Sequence, residues 1–515
     1  MKKMVALLTA LLMVVCALPV VAMADEAAPT VDTSEHKVIT YLVTGDIPTD
    51  RTNEVLAIIN EKLTEKINAE LEIQWIEWTN WQTNYNLAMA VQDGTVDLIG
   101  TATDWLDAWP NVQKGAFAAL TEDMLKTYAP KTWESVPAEH WDLCKFNGEI
   151  YMIPEDNYTQ WTNHGFIYRG DWAKEAGLEN GVRSWEDLGT YFAYVKANKE
   201  GVYPWDADGN GTSYSPQLSG GWQASHTGNI AIEGFPVGLF YGNSKDDPYT
   251  LSRYYLEGDE FVNFAKTMKE WADAGYWRTD VLNYSGDQDG LMKEGTSAAR
   301  QHHTETWTGL RTTLEKAIPG SDAGFFYFGQ EQGNLVSLNI THGAMAVAAQ
   351  SDAPERALML YDLLRNDEEI YRLMMYGIEG DMYTIDENGY LVRPEGFDSA
   401  TDGCTFNFWW GRNDDLSLRT ADRDWEAIDK LYSQYDSVAI TYPYGQIVFD
   451  LSSIQMYLDN ISNVYNTYMP RIVFGLMDDP EAYVAEFRQQ LQNAGIETCM
   501  EEVQRQLDAV YGEQK

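Results

Sequence analysis

Residues 37–100 read KVITYLVTGDIPTDRTNEVLAIINEKLTEKINAELEIQWIEWTNWQTNYNLAMAVQDGTVDLIG, and the order of strands and helices that they predict indicates an α/β fold. Three segments predict strands: Lys37 to Val43, Leu71 to Trp75, and Val96 to Gly100. Two segments between them predict helices, because apolar residues recur with a helical period from Leu56 to Ile67 and again from Tyr85 to Gln92. This β-α-β-α-β order predicts a parallel sheet wound by right-handed crossovers.

The same alternation of strands and helices recurs further along the chain, so a second α/β region is expected. The segments that carry it are a strand at Gly165 to Tyr168, a helix opened by Ser184 and Asp187, a helix at Phe261 to Ala274, a strand at Ala344 to Ala349, and a helix from Pro354 to about Met374. The tail is predicted to be helical, with caps at Asp479-Pro480 and at Thr498 with Glu501.

The composition is that of a large globular protein with a strongly acidic surface. The chain has 515 residues, 44% of them hydrophobic, with 36 Lys and Arg against 79 Asp and Glu, which gives a net charge of −43. The apolar fraction excludes an intrinsically disordered chain, and the length suffices for two or three domains. The negative charge disfavours binding to nucleic acid or to anionic lipid.

The N-terminus has the pattern of an export signal. Lys2 and Lys3 precede an apolar run that ends in Ala22-Met23-Ala24, so residues 1–24 are predicted to be a cleaved signal peptide, and residues 25–36 a polar leader. A retained membrane anchor is the alternative. Cys16 follows Val14-Val15, which is a poor lipobox, so soluble export is favoured over a lipid anchor. The other cysteines, Cys144, Cys404 and Cys499, lack the spacing of a disulfide framework or a zinc site.

Standard catalytic signatures are absent from the sequence, which has no GxSxG, HExxH, Walker or GxGxxG motif. One loop has the pattern of a metal site, because Asp206, Asp208, Asn210 and Thr212 offer oxygen ligands at alternate positions. The twelfth position is Gln217 instead of the usual glutamate. A weak calcium site and a plain Gly/Asp turn therefore remain equal alternatives.

Aromatic residues are the most distinctive feature of the composition, with 18 Trp, 31 Tyr and 17 Phe. Many lie in polar, loop-like surroundings, where an aromatic face can stack on the C–H face of a sugar while neighbouring polar groups bind its hydroxyls. Any single tryptophan is as readily explained as a core residue. As a group they favour a carbohydrate-binding groove.

Several segments, in order along the chain, resemble the family 1 extracellular solute-binding proteins of ABC importers. They are EIQWIEWTNWQTNYNLAMAVQDGTVDLIGTATDW, VQKGAFAALTEDMLKTYAP, NGEIYMIPEDN, IYRGDWAKEAGL and SDAPERALMLYDLLRNDEEIYRLMMYGIEGDMYTI. The tail GLMDDPEAYVAEFRQQLQNAGIETCMEEVQRQLDAVY is similar to the C-terminus of the lipoprotein-type, oligosaccharide-binding branch of that family. Each piece is a weak match alone, and the combination is specific.

The resemblance implies an α/β, two-lobed fold of the periplasmic-binding-protein type 2, a Venus flytrap with additional C-terminal helices. It places residues 37–155 plus 331–378 in the first lobe, and residues 156–330 plus 379–515 in the second. In related alginate receptors a calcium loop lies where Asp206, Asp208 and Asn210 stand here. Tyr214 and Ser215 depart from the acidic residues usual in that loop.

The order of these segments also implies which residues face the cleft. Trp307, Trp409 and Trp410 of the second lobe, with Tyr158 and Trp161 at the crossing, are expected to face Trp78, Asp104 and Trp105 of the first. The groups expected to bind sugar hydroxyls are Asn407, Arg412, His302 and Glu379. The acidic charge favours neutral or amino-bearing sugars over polyuronates.

The predicted function is that of an exported, monomeric binding protein with no catalytic residues. It would capture a sugar or oligosaccharide by hinge closure and deliver it to the permease of an ABC importer. No cofactor is required, apart from a possible structural calcium. The alternative is a secreted glycoside hydrolase, whose length, acidity and tryptophan content would be similar.

Overall fold

The computed structural model of the chain describes residues 31–91, 93–156, 163–209, 214–235 and 238–512. Residues His36–Lys515 form one compact unit, and residues 31–35, which belong to a separate unit, contain no helix or strand. The predicted signal peptide and the first half of the predicted leader lie outside the described residues. In the described part of the chain, no helix is both long enough and apolar enough to cross a membrane.

The strands are short and fall into several sheets. In chain order they are β1 (Lys37–Thr44), β2 (Ala69–Ile76), β3 (Leu98–Thr101), β4 (Lys145–Phe146), β5 (Glu149–Ile150), β6 (Ile153–Pro154), β7 (His164–Tyr168), β8 (Ile230–Ala231), β9 (Tyr241–Ser244), β10 (Asp247–Leu251), β11 (Ala299–His303), β12 (Gly324–Tyr327), β13 (Leu335–Val336), β14 (Ala344–Val347), β15 (Thr384–Ile385), β16 (Leu391–Val392) and β17 (Ala439–Ile440).

Helices make up most of the regular structure. In chain order they are α1 (Asp50–Ile67), α2 (Trp81–Val91), α3 (Ala108–Gln113), α4 (Glu122–Tyr128), α5 (Pro130–Ser135), α6 (Ala138–Asp142), α7 (Gly170–Glu175), α8 (Trp185–Asn198), α9 (Tyr214–His226), α10 (Glu260–Asp273), α11 (Gln288–Lys293), α12 (Thr304–Ala317), α13 (Pro354–Asn366), α14 (Glu368–Tyr376), α15 (Trp425–Val438), α16 (Gln455–Val473), α17 (Pro480–Ala494) and α18 (Ile496–Tyr511). Short 3-10 helices span Val281–Asn283, Gln330–Gln332 and Trp409–Gly411.

The first lobe is built on a five-stranded sheet of order β2-β1-β3-β14-β6. Strand β1 pairs in parallel with β2 and β3, as the sequence predicts, whereas β14 runs antiparallel to β3 and β6. Helix α1 begins at a capping box formed by Thr49 and Thr52, and it buries Val55, Ile59 and Leu63 against this sheet's core. The spacing of these three residues puts them on one face of the helix.

The second lobe has an antiparallel sheet of order β11-β7-β12, together with the antiparallel sheet β10-β9-β8. Its large core includes residues of the C-terminal helices α16, α17 and α18, such as Leu458, Phe487 and Val503. Helix α17 begins as predicted, since the Asp479 side chain accepts a hydrogen bond from the Ala482 amide at 3.1 Å. The additional C-terminal helices therefore complete the core of the second lobe.

The lobe boundaries differ from the prediction at two places. Strand β13, at 335–336, pairs with β17 of the second lobe, so the chain returns to the first lobe only near Ala344. Beyond residue 378, Phe406, Phe408 and Trp410 are still buried in the core of the first lobe. The assignment of 379–410 to the second lobe is therefore corrected, because Phe408 contacts Tyr41 of β1 and Tyr361 of α13, and Trp410 also contacts Tyr41.

Two connecting segments lie side by side where the chain passes between the lobes. The Glu155 amide donates to the Gly343 carbonyl at 2.7 Å, and the Thr103 amide donates to the Thr341 carbonyl at 3.1 Å. These bonds join the ends of β6 and β3 to the segment before β14. The connectors are thus held together beside the C-terminal end of β3.

Candidate ligand-binding cleft

Five indoles of the first lobe form a continuous group, which we call the tryptophan cluster: Trp78, Trp81, Trp105, Trp409 and Trp410. Trp78 stacks on Trp409 with ring centroids 5.8 Å apart, and on Trp105 at 6.1 Å. Trp105 in turn stacks on Trp410 at 6.3 Å. Trp410 is 1% exposed and Trp78 is 43% exposed, so the cluster runs from the core to the surface.

The cluster is assembled from loops that follow strands. Trp78 follows β2, Trp105 follows β3, and Trp409 and Trp410 lie in the 3-10 helix beside β14. The two parallel strands end at the same edge of the sheet, and binding sites of α/β sheets lie beyond that edge. The Trp78 Nε1 donates to the Asp46 carboxylate at 2.8 Å, which fixes the orientation of the most exposed ring.

The cluster forms one wall of a cavity of about 650 Å³ that residues of both lobes line. The first lobe contributes Trp78, Trp105, Trp409 and Trp410, and the second lobe contributes Gln217 and polar groups of β7, β11 and α12. A second cavity of about 500 Å³ shares the lining residues Asp104, His164, Gln217 and Leu338. The two cavities together are called the cleft below.

Two ion pairs lie at the floor of the cleft. His342 Nδ1 is 2.7 Å from the Asp104 carboxylate, and Arg412 Nε is 3.3 Å from the buried Glu155 carboxylate. Burial lowers the pKa of His342, but the charge and hydrogen bond of Asp104 outweigh it, so the pKa is raised. Burial raises the pKa of Glu155, and the charge of Arg412 opposes this effect.

Neutral histidines line the wall of the second lobe. Burial lowers the pKa of His164 to about 3, with a smaller contribution from the charge of His303. Burial likewise lowers the pKa of His303 to about 4, with a smaller contribution from the charge of Arg300. The His303 Nδ1 accepts a hydrogen bond from the Thr306 amide at 3.1 Å, and the His164 Nδ1 accepts one from the Gln301 side chain at 2.9 Å. These rings therefore act as uncharged hydrogen-bonding groups near neutral pH.

Six of the residues predicted to face the cleft line the cavity of 650 Å³: Trp78, Asp104, Trp105, Trp409, Trp410 and Arg412. Trp409 and Trp410 reach it from the first lobe, where they stack on the residues that they were expected to face across the cleft. Tyr158 and Trp161 lie outside the described residues.

Four of the residues predicted to bind the ligand do not line the cleft: His302, Trp307, Glu379 and Asn407. Trp307 is 4% exposed, stacks on Phe325 and donates its Nε1 to the Ala323 carbonyl at 2.9 Å, so it is a core residue of the second lobe. Glu379 lines a separate groove beside α14. The Asn407 side-chain amide donates to the Asp46 carbonyl at 2.8 Å, and the His302 Nδ1 lies 2.7 Å from the Thr306 hydroxyl. Neither residue lines the cleft.

The cavity is also lined by residues that are not among those expected to face the cleft. Glu155, His342 and Gly343 come from the connecting segments, and His164, His303 and Glu305 come from the second lobe. His302 is expected from the sequence to bind sugar hydroxyls, but side chains alternate along strand β11, and it is the neighbouring His303 that lines the cavity.

The predicted calcium loop is engaged in other bonds where the structure describes it. Both carboxylate oxygens of Asp206 bind Arg278, at 2.7 and 3.0 Å, and Asp208 accepts a hydrogen bond from the Tyr214 hydroxyl at 2.6 Å. Asn210 and Thr212 lie outside the described residues. Within the described ranges, no group of three or more His, Cys, Asp or Glu side chains is arranged to hold a metal ion.

Comparisons with known proteins agree on one fold. The chain is 23% identical to a "Carbohydrate ABC transporter substrate-binding protein" of Streptococcus pneumoniae serotype 4, over 93% of this chain and 91% of that protein. A crystal structure of the N-glycan transport solute binding protein NgtS from Streptococcus pneumoniae matches with a TM-score of 0.73 and 19% identity, over 93% of this chain and 100% of that one.

One further match covers most of the chain, and another covers its C-terminal region. The alginate-binding protein AlgQ2, solved without calcium ion, matches with a TM-score of 0.65 and 16% identity, over 92% of this chain and 98% of that one. A family described as a domain of unknown function (DUF3502) matches residues 443–511. The chain therefore has the two-lobed α/β fold of the extracellular solute-binding proteins of ABC importers, the family that its sequence resembles.

Proposed function

We propose that this protein is an extracytoplasmic solute-binding protein that captures a sugar or oligosaccharide in the cleft. The loaded protein would deliver its ligand to the membrane permease of an ABC importer and would carry out no chemistry itself. The names of the matched relatives, a carbohydrate substrate-binding protein and an N-glycan transport protein, support this class of ligand. Export by the predicted signal peptide, followed by action as a monomer, belongs to the same proposal.

The observation that carries the proposal is the tryptophan cluster at the wall of the cleft. The Trp78 indole is 43% exposed beside two stacked neighbours, Trp105 and Trp409. Its exposure costs free energy in water, and that cost is relieved when an apolar surface covers the ring. The C–H face of a pyranose is such a surface, and its hydroxyls need hydrogen-bond partners around the ring. Gln217, His303 and Glu305 offer these partners on the facing wall.

Hinge closure would bring the two walls onto the ligand. The connectors at Glu155, Thr341 and Gly343 are short and hydrogen bonded to each other, so rotation about them would move the lobes as bodies. Closure would remove water from the stacking faces and strengthen the polar contacts around the sugar. In this account, the permease recognises the surface that the closed lobes form together.

A thermal-shift screen against neutral oligosaccharides tests the proposal, because a ligand that binds only the folded state raises the melting temperature. A sugar that gives a shift is then titrated by calorimetry, and small-angle scattering with saturating ligand is expected to give a smaller radius of gyration. Chromatography of the same mixtures should show the sugar intact after prolonged incubation. Hydrolysis of the sugar would favour the glycoside hydrolase, and no shift with any sugar would contradict the proposal.

A further inference from the structure

The charged groups that line the cleft are mostly carboxylates. Asp104 and Glu155 lie at its floor, Glu305 lies on the wall of the second lobe, and Glu233 lines the second cavity. Burial and the charge of Asp104 raise the pKa of Glu233 to about 8, which reflects how unfavourable a further negative charge is at this place. The Glu305 carboxylate accepts a hydrogen bond from the Tyr432 hydroxyl at 2.7 Å.

The cations of the cleft are already engaged. Among the described residues that line its two cavities, Arg412 is the one arginine or lysine, and it is paired with Glu155. His342 is paired with Asp104. The other lining imidazoles, those of His164 and His303, are neutral near pH 7 because burial lowers their pKa values. Residues 157–162 and 236–237, which the structure does not describe, read NYTQWT and PV and contain no Lys, Arg or His.

A carboxylate on a ligand would therefore enter the cleft without a cation to receive it. It would lose its hydration, face the Glu305 carboxylate, and gain an ion pair only by separating Arg412 from Glu155 or His342 from Asp104. Withdrawing Arg412 from Glu155 would leave this buried carboxylate with an uncompensated charge, which is strongly unfavourable. Sugar hydroxyls have no such cost, because each can donate a hydrogen bond to a carboxylate and accept one from a neutral imidazole.

We propose that the cleft selects oligosaccharides that carry no carboxylate, and that it rejects chains that contain uronate or other acidic sugars. This inference rests on the proposed sugar-binding function and narrows its class of ligand. The net charge of −43 acts in the same direction, because it lowers the local concentration of anionic ligands around the protein. The tryptophan cluster does not discriminate between neutral and acidic sugars, since an indole stacks on charged and uncharged pyranoses alike.

Matched pairs of sugars test this selection. The probes are cellotriose, mannotriose and chitotriose, each compared by calorimetry with its counterpart oxidised at C6 to the uronate. For a pair whose neutral member binds, we expect the oxidised member to bind about tenfold more weakly or worse in about 25 mM NaCl, and the difference to shrink in about 300 mM NaCl as salt screens the repulsion.

A variant of Glu305 links the selection to the wall of the second lobe. Glu305→Gln is expected to reduce the preference for the neutral member several-fold, whereas Glu387→Gln, in an exposed turn between β15 and β16, leaves the preference unchanged. The dependence on salt gives an independent readout if the Glu305 variant folds poorly. An oxidised sugar that binds as tightly as its neutral partner overturns the inference while the sugar-binding proposal stands. Failure of both members of every pair contradicts the sugar-binding proposal itself, and the selection with it.

Discussion

The Trp410 indole lies directly against the backbone of Gly100, where an added Cβ atom would fall 2.6 Å from ring atoms Cδ2 and Cε3. Gly100 belongs to β3 in the middle of the first sheet, and Trp410 follows it by more than three hundred residues. This contact fixes the last segment of the first lobe on its sheet. The contact also holds the buried end of the tryptophan cluster in position, because Trp105 stacks on Trp410.

Substitution Gly100→Ala is expected to destabilise the protein by about 1–3 kcal/mol, because the added methyl group overpacks a buried site that cannot move freely. Urea unfolding measures the change. A matched control is Gly309→Ala in the interior of α12, where an added Cβ meets no atom within 4 Å and alanine is expected to raise stability by about 0.5–1 kcal/mol. Equal stability of Gly100→Ala and the wild type would contradict the contact.

The contact between Gly100 and Trp410 explains what the sequence could and could not predict. The alternation of Leu71, Ile73 and Trp75 depends on local geometry, and the strand that it predicts is present as β2. Trp410 packs in the first lobe because Gly100, which lies 310 residues earlier, has no side chain to occupy that space. No pattern in the sequence around Trp410 reveals this contact. For the same reason Trp307, which lies in a similar polar segment, is buried by Phe325 and Ala323 instead of facing the cleft.

Helix ends show a similar limit. The predicted cap at Thr498 is wrong, because Gly495 adopts φ of +95° and ends α17, so that α18 begins at once with Ile496. The single helix predicted from Pro354 to Met374 is broken at Asp367, whose side chain accepts a hydrogen bond from the Ile370 amide at 3.2 Å. Capping residues are recognisable in a sequence, but their neighbours in space decide which of them are used.

Trp307→Ala is expected to lower the free energy of unfolding by about 3–5 kcal/mol, because it opens a cavity in the core of the second lobe. The measurement is urea unfolding, followed by calorimetric titration of the folded variant at low temperature. Since Trp307 does not line the cleft, affinity for a neutral sugar should be retained. If Trp307→Ala lost affinity for the sugar while its free energy of unfolding stayed unchanged, Trp307 would contact the ligand, and its assignment to the core would be wrong.

The Arg278 guanidinium is expected to supply the positive charge that Asp206 needs, in place of a calcium ion. Arg278→Ala should destabilise the protein by about 3–5 kcal/mol, because it leaves the buried Asp206 carboxylate without its partner. The control Lys316→Ala removes an exposed pair with Asp422 and should cost less than about 1 kcal/mol.

Because Arg278 pairs with Asp206, we expect a chelator to leave the melting temperature of the wild-type protein unchanged. Thermal unfolding with EDTA, and again after calcium is restored, measures this. A fall in melting temperature that calcium reverses would establish the metal as a ligand of the native state.

His342 is expected to make stability depend on pH. Its pKa is raised in the folded protein by Asp104, so its contribution is fully present below the ordinary pKa of histidine, about 6.5, and is lost as the pH rises through the raised value. Glu155, Glu233 and Arg412 also lie near it, so the effect is measured as the difference in unfolding free energy between the wild type and His342→Gln. That difference should narrow as the pH rises from about 6. A difference that stays constant or widens would contradict the pairing of His342 with Asp104.

Calorimetric titration of a neutral oligosaccharide into wild-type protein, Trp78→Ala and Trp133→Ala tests whether the tryptophan cluster is the sugar-binding surface. Trp133 is half-buried, stacks on Trp141 at 4.9 Å and does not line the cleft, which makes it a matched control for the loss of an indole. We expect Trp78→Ala to weaken binding by about 1–3 kcal/mol and Trp133→Ala to leave the dissociation constant unchanged. Equal dissociation constants for the wild type and Trp78→Ala would contradict the claim that the tryptophan cluster is the sugar-binding surface.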